Sequence, residues 1–106
     1  MIVEYIRYKI SGERQREFEE AYTNASRSLD VSKHCRMYEL THSTEEPELY
    51  ILRIEWDSHD GHMKGFRNSP EFREFFRYVQ PFFNDIQEMR HYELTKVSKR
   101  KDIDAA

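Results

Sequence analysis

Five histidines and a single tryptophan carry most of the chemical possibility in this 106-residue chain. His62 lies six residues after Trp56 and four before Phe66. On a helix it shares a face with Phe66, close to the point where Trp56 leaves a strand. An imidazole beside aromatic walls can take the proton of a phenol near neutral pH, so His62 is the candidate catalytic base. The same placement suits a histidine in a first helical turn bonded to a carboxylate. His59 and His62, three apart, could share a metal, but two ligands are too few. A third, His42 or His91, must arrive through the fold, so spacing marks no metal set.

Trp56, Phe66, Phe72 and Phe76 could line a flat pocket for an aromatic ligand, although any core-facing helix shows the same spacing. Phe72 and Val79 read as core, and Trp56 and Phe66 as pocket wall with Phe76 beside them. Tyr8 and Tyr38, if turned toward the helices, offer hydroxyls that orient a ligand; otherwise they are core tyrosines with wet tips. Cys35 is the only cysteine, which excludes an intrachain disulfide and a CxxC motif and leaves a small buried apolar residue.

These side chains need elements to position them. Ile2, Ile6, Tyr8 and Ile10 alternate with Val3, Tyr5, Arg7 and Lys9, the period of a strand. Val3 and Tyr5 make its second face too apolar to lie open to water, so a second subunit is expected to cover it. After Ser11-Gly12, the residues Phe18, Ala21, Tyr22, Ala25 and Leu29 form the stripe of an amphipathic helix over about 13–29. Strands follow over about 35–42 and 49–56, joined by the turn Thr44-Glu45-Glu46-Pro47. Asp57-Ser58 caps a short helix carrying His59, His62, Met63 and Phe66. Ser69-Pro70-Glu71 restarts it, with Phe72, Phe75, Phe76 and Val79 on the apolar stripe, until Pro81 ends it. A last strand runs over about 86–94.

The order β-α-β-β-α-β predicts an α+β, ferredoxin-like fold: a four-stranded antiparallel sheet with both helices on one face. Arg7, Lys9, Arg53 and Glu55 then fall on the opposite face, where ion pairs between subunits are expected. The domain spans 1–95, and residues 96–106, without periodicity, read as a disordered tail.

Composition narrows the functional classes. The hydrophobic content is 38% but 14% of residues are aromatic, which predicts a small aromatic-rich core that a partner subunit helps to complete. Net charge is −3; the tail's Lys96, Lys99, Arg100 and Lys101, diluted by Asp102 and Asp104, carry +2 of it and leave the body near −5. A body of that sign argues against nucleic acid. No apolar run approaches the roughly 18 residues of a membrane span. The start at Met1-Ile2-Val3 leads directly into strand sequence, so a cytoplasmic protein is expected.

The segment Trp56-Asp57-Ser58, His62, Gly65-Phe66, Ser69-Pro70-Glu71-Phe72 resembles the W-x-S … S-P-x-F stretch of antibiotic-biosynthesis-monooxygenase (ABM) domains. The opening Met1-Ile2-Val3, with Arg7-Tyr8-Lys9-Ile10 and Phe18, is similar to that family's first strand and helix. The resemblance covers about residues 1–95 and implies a dimeric α+β barrel, in which two sheets face each other. It also implies a cofactor-independent monooxygenase or oxidase of a small quinol- or anthrone-like substrate. The substrate's own anion passes an electron to molecular oxygen, and the protein binds, deprotonates and shields it. The alternative is a non-catalytic dimer that binds a hydrophobic small molecule. Heme-degrading relatives carry Asn, Trp and His where this chain has, in turn, a position near Ile6, Phe66 and Phe76, which argues against heme chemistry. Many quinol-oxidising members carry His at the position of Phe66; here the nearest is His62, one turn earlier.

Overall fold

A computed structural model describes residues 1–101. Strand β1 (Ile2–Lys9) leads through a 3₁₀ turn to helix α1 (Gln15–Val31). Strands β2 (Cys35–His42) and β3 (Leu49–Trp56) form a hairpin, and α2 (Pro70–Val79) and β4 (Ile86–Glu93) complete the chain. The sheet order is β2-β3-β1-β4 and every pairing is antiparallel. This is the predicted ferredoxin-like α+β architecture. Its two inner strands, β1 and β3, carry most of the sheet's buried residues.

The alternation of β1 sets the layers. Ile6, Tyr8 and Ile10 turn toward the helices and are at most 6% exposed. They meet Leu52, Ile54 and Trp56 of β3 and the stripe Phe18, Tyr22, Ala25 and Leu29 of α1. Phe18 is the hub: its ring lies 4.8 Å from Tyr8, 5.2 Å from Tyr22, 4.8 Å from Tyr50 and 5.2 Å from Phe82, mostly edge to face. Edge-to-face pairs of this kind add about 0.5–1.5 kcal/mol each beyond area burial, so few residues make a firm core.

The opposite face of the sheet carries Tyr5, Arg7, Ile51, Arg53, Glu55, Glu88 and Tyr92. Three of the four charges expected to pair between subunits, Arg7, Arg53 and Glu55, find partners within the chain. Arg53 meets Glu55, two residues along the same face of β3, at 2.6 Å, and Arg7 meets Glu88 across to β4 at 3.5 Å. Tyr5 packs edge-on against Tyr92, 5.5 Å between centroids. The last strand ends with Leu94 N–H on Met1 O at 3.0 Å. Residues 96–101 form no strand or helix, and Val97 is 93% exposed. The rest of the expected tail, 102–106, lies outside the described residues.

Candidate active site

The connection from β3 to α2 builds the site. Ser58 caps it as expected, its Oγ accepting Gly61 N–H at 2.8 Å. Asp57 does not cap; its carboxylate takes His34 Nδ1 at 3.0 Å instead. Gly61–Phe66 then widens into a π-helical turn, with Arg67 N–H reaching His62 O at 3.0 Å. Such turns are rare and concentrate at functional sites. The widening lays two rings on Trp56: His62 stacked at 4.4 Å and 11°, and Phe66 tilted at 5.0 Å. Ser69 Oγ then caps α2 through Phe72 N–H, as its sequence position predicts.

Gly61 and Gly65 permit this turn. A Cβ on Gly61 would run into the Asp57 carboxylate, and one on Gly65 into the His34 imidazole. The π-turn therefore docks on the Asp57–His34 pair only through bare backbone. Gly65→Ala is expected to cost about 1–3 kcal/mol by overpacking, read by urea denaturation, and to shift the Trp56 emission by moving the turn above it.

Between the π-turn, α2 and the sheet lies an aromatic cavity of about 90 Å³. At roughly 10–15 Å³ per water centre, that is room for about six to nine waters or one small ring system. Its walls include Ile6, Tyr8, Trp56, Phe66, Phe72 and Phe75, with Phe76, Phe83 and Met89 at the exposed rim. Its few ionisable wall groups are Glu4, His62 and Arg67, besides the phenols of Tyr8 and Tyr22.

Glu4 is the residue that sequence reasoning missed. It sits between Ile2 and Ile6 on the inward face of β1 and is 3% exposed. Trp56 Nε1–H donates to its Oε1 at 3.1 Å, and His62 Nε2 lies 3.5 Å from the same oxygen. Burial pushes the Glu4 carboxyl above its ordinary range, partly opposed by the Trp56 bond and the Arg67 charge. His91, the register partner of Glu4 on β4, faces the same way. Its Nε2 lies 2.8 Å from His62 Nδ1 and 3.9 Å from Glu4 Oε2. The signal was available: an acid at an inward position of an otherwise apolar alternation must be paired or functional.

The fold has close counterparts. The model of the antibiotic biosynthesis monooxygenase family matches residues 1–78. The chain belongs to that family. An uncharacterised Bacillus subtilis protein, YczJ, is 28% identical over 79 residues, 74% of this chain and 83% of that one. A candidate antibiotic biosynthesis monooxygenase from Bordetella bronchiseptica superposes with a TM-score of 0.77 at 26% identity, over 89% of this chain and 96% of the other. A conserved protein of Methanosarcina mazei gives 0.74 at 19% identity, covering 89% and 92%. At that identity the likeness concerns the fold alone.

Within this ABM domain the predicted site residues separate into three groups. Trp56, Phe66 and His62 come together at the head of the cavity. Phe76 joins them from the rim, 39% exposed. Tyr8 lines the wall, but its hydroxyl is committed to that of Tyr22, and burial pushes it up to about 12. Tyr38 is not on this wall: its hydroxyl reaches Asp30 at 2.6 Å on the far side of α1. His62, the candidate base, is buried. It is 2% exposed with both ring nitrogens facing partners. Burial, then the His91, Arg67 and His59 charges, hold its pKa down to about 3, so it is neutral at pH 7. His34 and His42 are engaged elsewhere, with Asp57 and with Pro47 O. Among the described residues, no helix is long and apolar enough to cross a membrane.

Proposed function

We propose that this ABM protein is a cofactor-independent monooxygenase or oxidase of a small quinol- or anthrone-like substrate. The observation that carries the reading is the join between an apolar, ring-sized cavity and a buried carboxylate–imidazole pair at its head. A ring is held between Trp56, Phe66 and the Phe76 rim, with its hydroxyl toward Glu4 and His62. Of that pair Glu4 is the stronger proton acceptor, because burial raises its carboxyl while it lowers the imidazole. His62 orients the carboxylate and hands the proton toward His91, whose side chain is 25% exposed. The anion left in the cavity is the electron donor to oxygen: a hydroquinone gives up two electrons and two protons, yielding quinone and hydrogen peroxide. An anthrone methylene becomes a carbonyl and releases water. Arg67, on the same wall, supplies a positive charge for the anion.

Trp56 is the sole tryptophan, so ligand entry is read directly. Single-ring hydroquinones are expected to quench its fluorescence saturably and to drive oxygen uptake. Quenching without uptake would favour the second reading, a non-catalytic binding domain. That reading draws on the commitment of both His62 nitrogens to protein partners.

The homodimer belongs to the same reading. Tyr5, Ile51 and Tyr92 are 37%, 37% and 49% exposed on the helix-free face, an apolar strip between ion pairs that a second sheet would cover. Light scattering at micromolar concentration is expected to give about twice the 13.0 kDa chain mass. A monomer would contradict it.

A further inference from the structure

The geometry points to a divalent transition-metal site made by Glu4, His62 and His91, able to hold an ion such as Zn²⁺ at the head of the cavity. Each residue offers one donor atom, and the three atoms lie within 4.8 Å of one another. Donors about 2.0–2.2 Å from such an ion stand roughly 3.0–3.5 Å apart. His91 Nε2 lies 2.8 Å from His62 Nδ1 and 3.9 Å from Glu4 Oε2, and no pair in the donor set is more than 4.8 Å apart, so movements of about an ångström would close the three on a common centre. Two imidazoles and one carboxylate form a donor set of the borderline class that suits first-row divalent ions.

Three features make this a built site. The donors come from three elements, β1, the π-turn and β4, and Glu4 and His91 are fixed opposite each other by strand register. The Glu4 and His62 side chains are both 3% exposed, so the ion would be shielded from water on that side. Trp56 Nε1–H holds Glu4 Oε1 at 3.1 Å, the outer hydrogen bond that orients a ligating carboxylate. Three protein ligands leave at least one position open, and the cavity adjoins it. His59, whose ring lies 5.6 Å from that of His91, is exposed and stays outside the set.

This inference goes beyond the oxidation reading and competes with it for the same lone pairs. A bound cation takes the His62 and Glu4 electrons that would otherwise receive the substrate's proton, so turnover belongs to the metal-free form. Binding is tested without any activity. Chelator-treated protein is titrated with Zn²⁺ by calorimetry and with Co²⁺ by visible absorption. One ion per chain, at micromolar affinity or tighter, is expected. His91→Ala and Glu4→Gln should each weaken binding at least tenfold, and His59→Ala should leave it unchanged. His91 is only partly buried, so its variant keeps the fold, with circular dichroism as the check. Absence of binding below millimolar, or equal affinity in His91→Ala, would overturn the site. The oxidation reading is judged separately, by oxygen uptake of the chelator-treated protein.

Discussion

Glu4→Gln and His62→Ala are each expected to lower oxygen uptake on a hydroquinone substrate by about 10²- to 10⁴-fold, the usual effect of removing a general base. The two variants should differ in what else they do. Gln keeps the shape of Glu4 and its bond from Trp56 Nε1–H, so folding and ring binding should persist while proton transfer stops. His62→Ala removes a ring stacked on Trp56 and strips a partner from both Glu4 and His91. It should therefore also cost about 1–3 kcal/mol of stability, as for a buried polar group left unpaired. At 2% exposure His62 is part of the packing, so its loss reaches the fold as well as the chemistry. Paired oxygen-electrode and urea-denaturation measurements separate the two effects. Equal uptake in Glu4→Gln and the unmodified protein would remove the carboxylate from the mechanism.

Phe18→Ala is expected to be the most damaging single change to the fold, at about 3–5 kcal/mol. The ring is 0% exposed and touches four other aromatic rings drawn from β1, α1, β3 and the segment after α2. Deleting it leaves a cavity that stiff aromatic neighbours cannot collapse to fill. Against a total of about 5–15 kcal/mol for a domain of this kind, that loss leaves little or nothing. The urea midpoint should fall sharply, or the variant should fail to give a cooperative transition. Val97→Ala, by contrast, should stay within about 0.5 kcal/mol, since Val97 is 93% exposed.

Much of this fold is legible in the residues because local pattern and burial agree. The alternation of Ile6, Tyr8 and Ile10 and the stripe Phe18, Tyr22, Ala25, Leu29 each point to one surface, and both are buried where the period puts them. Ser69-Pro70 starts α2 where its capping chemistry requires. The π-turn at Gly61–Phe66 was not legible. Its i→i+5 bond depends on the bare backbone of Gly61 and Gly65 resting on His34 and Asp57, contacts that exist only once β2 and β3 have paired.

The site divides along the same line. Trp56, His62 and Phe66 are neighbours in sequence, so spacing alone brings them together. His91 is 29 residues from His62, and its face depends on how β4 meets β1. The register shift between Arg7 and Tyr8 lies just beyond that pairing, so period-two counting through β4 gives no secure orientation. Glu4 was hidden differently: it is one charge within an apolar strand, visible by position but silent as a motif. Tyr38 shows the reverse. It shares the helix-side face of β2 with Leu40, yet β2 is an edge strand, and its hydroxyl goes to Asp30 of α1.

On this reading the Trp56 cavity oxidises the ring it holds, with Glu4 and His62 as the proton-accepting pair. The most direct measurement is oxygen consumption by chelator-treated protein over a panel of hydroquinones and anthrones, with Trp56 fluorescence recorded in the same samples. Saturable uptake is expected for the compounds that quench Trp56, half-saturating at the same concentrations, with quinone or anthraquinone formed in step. Saturable quenching with no uptake above the uncatalysed rate for any compound would contradict it.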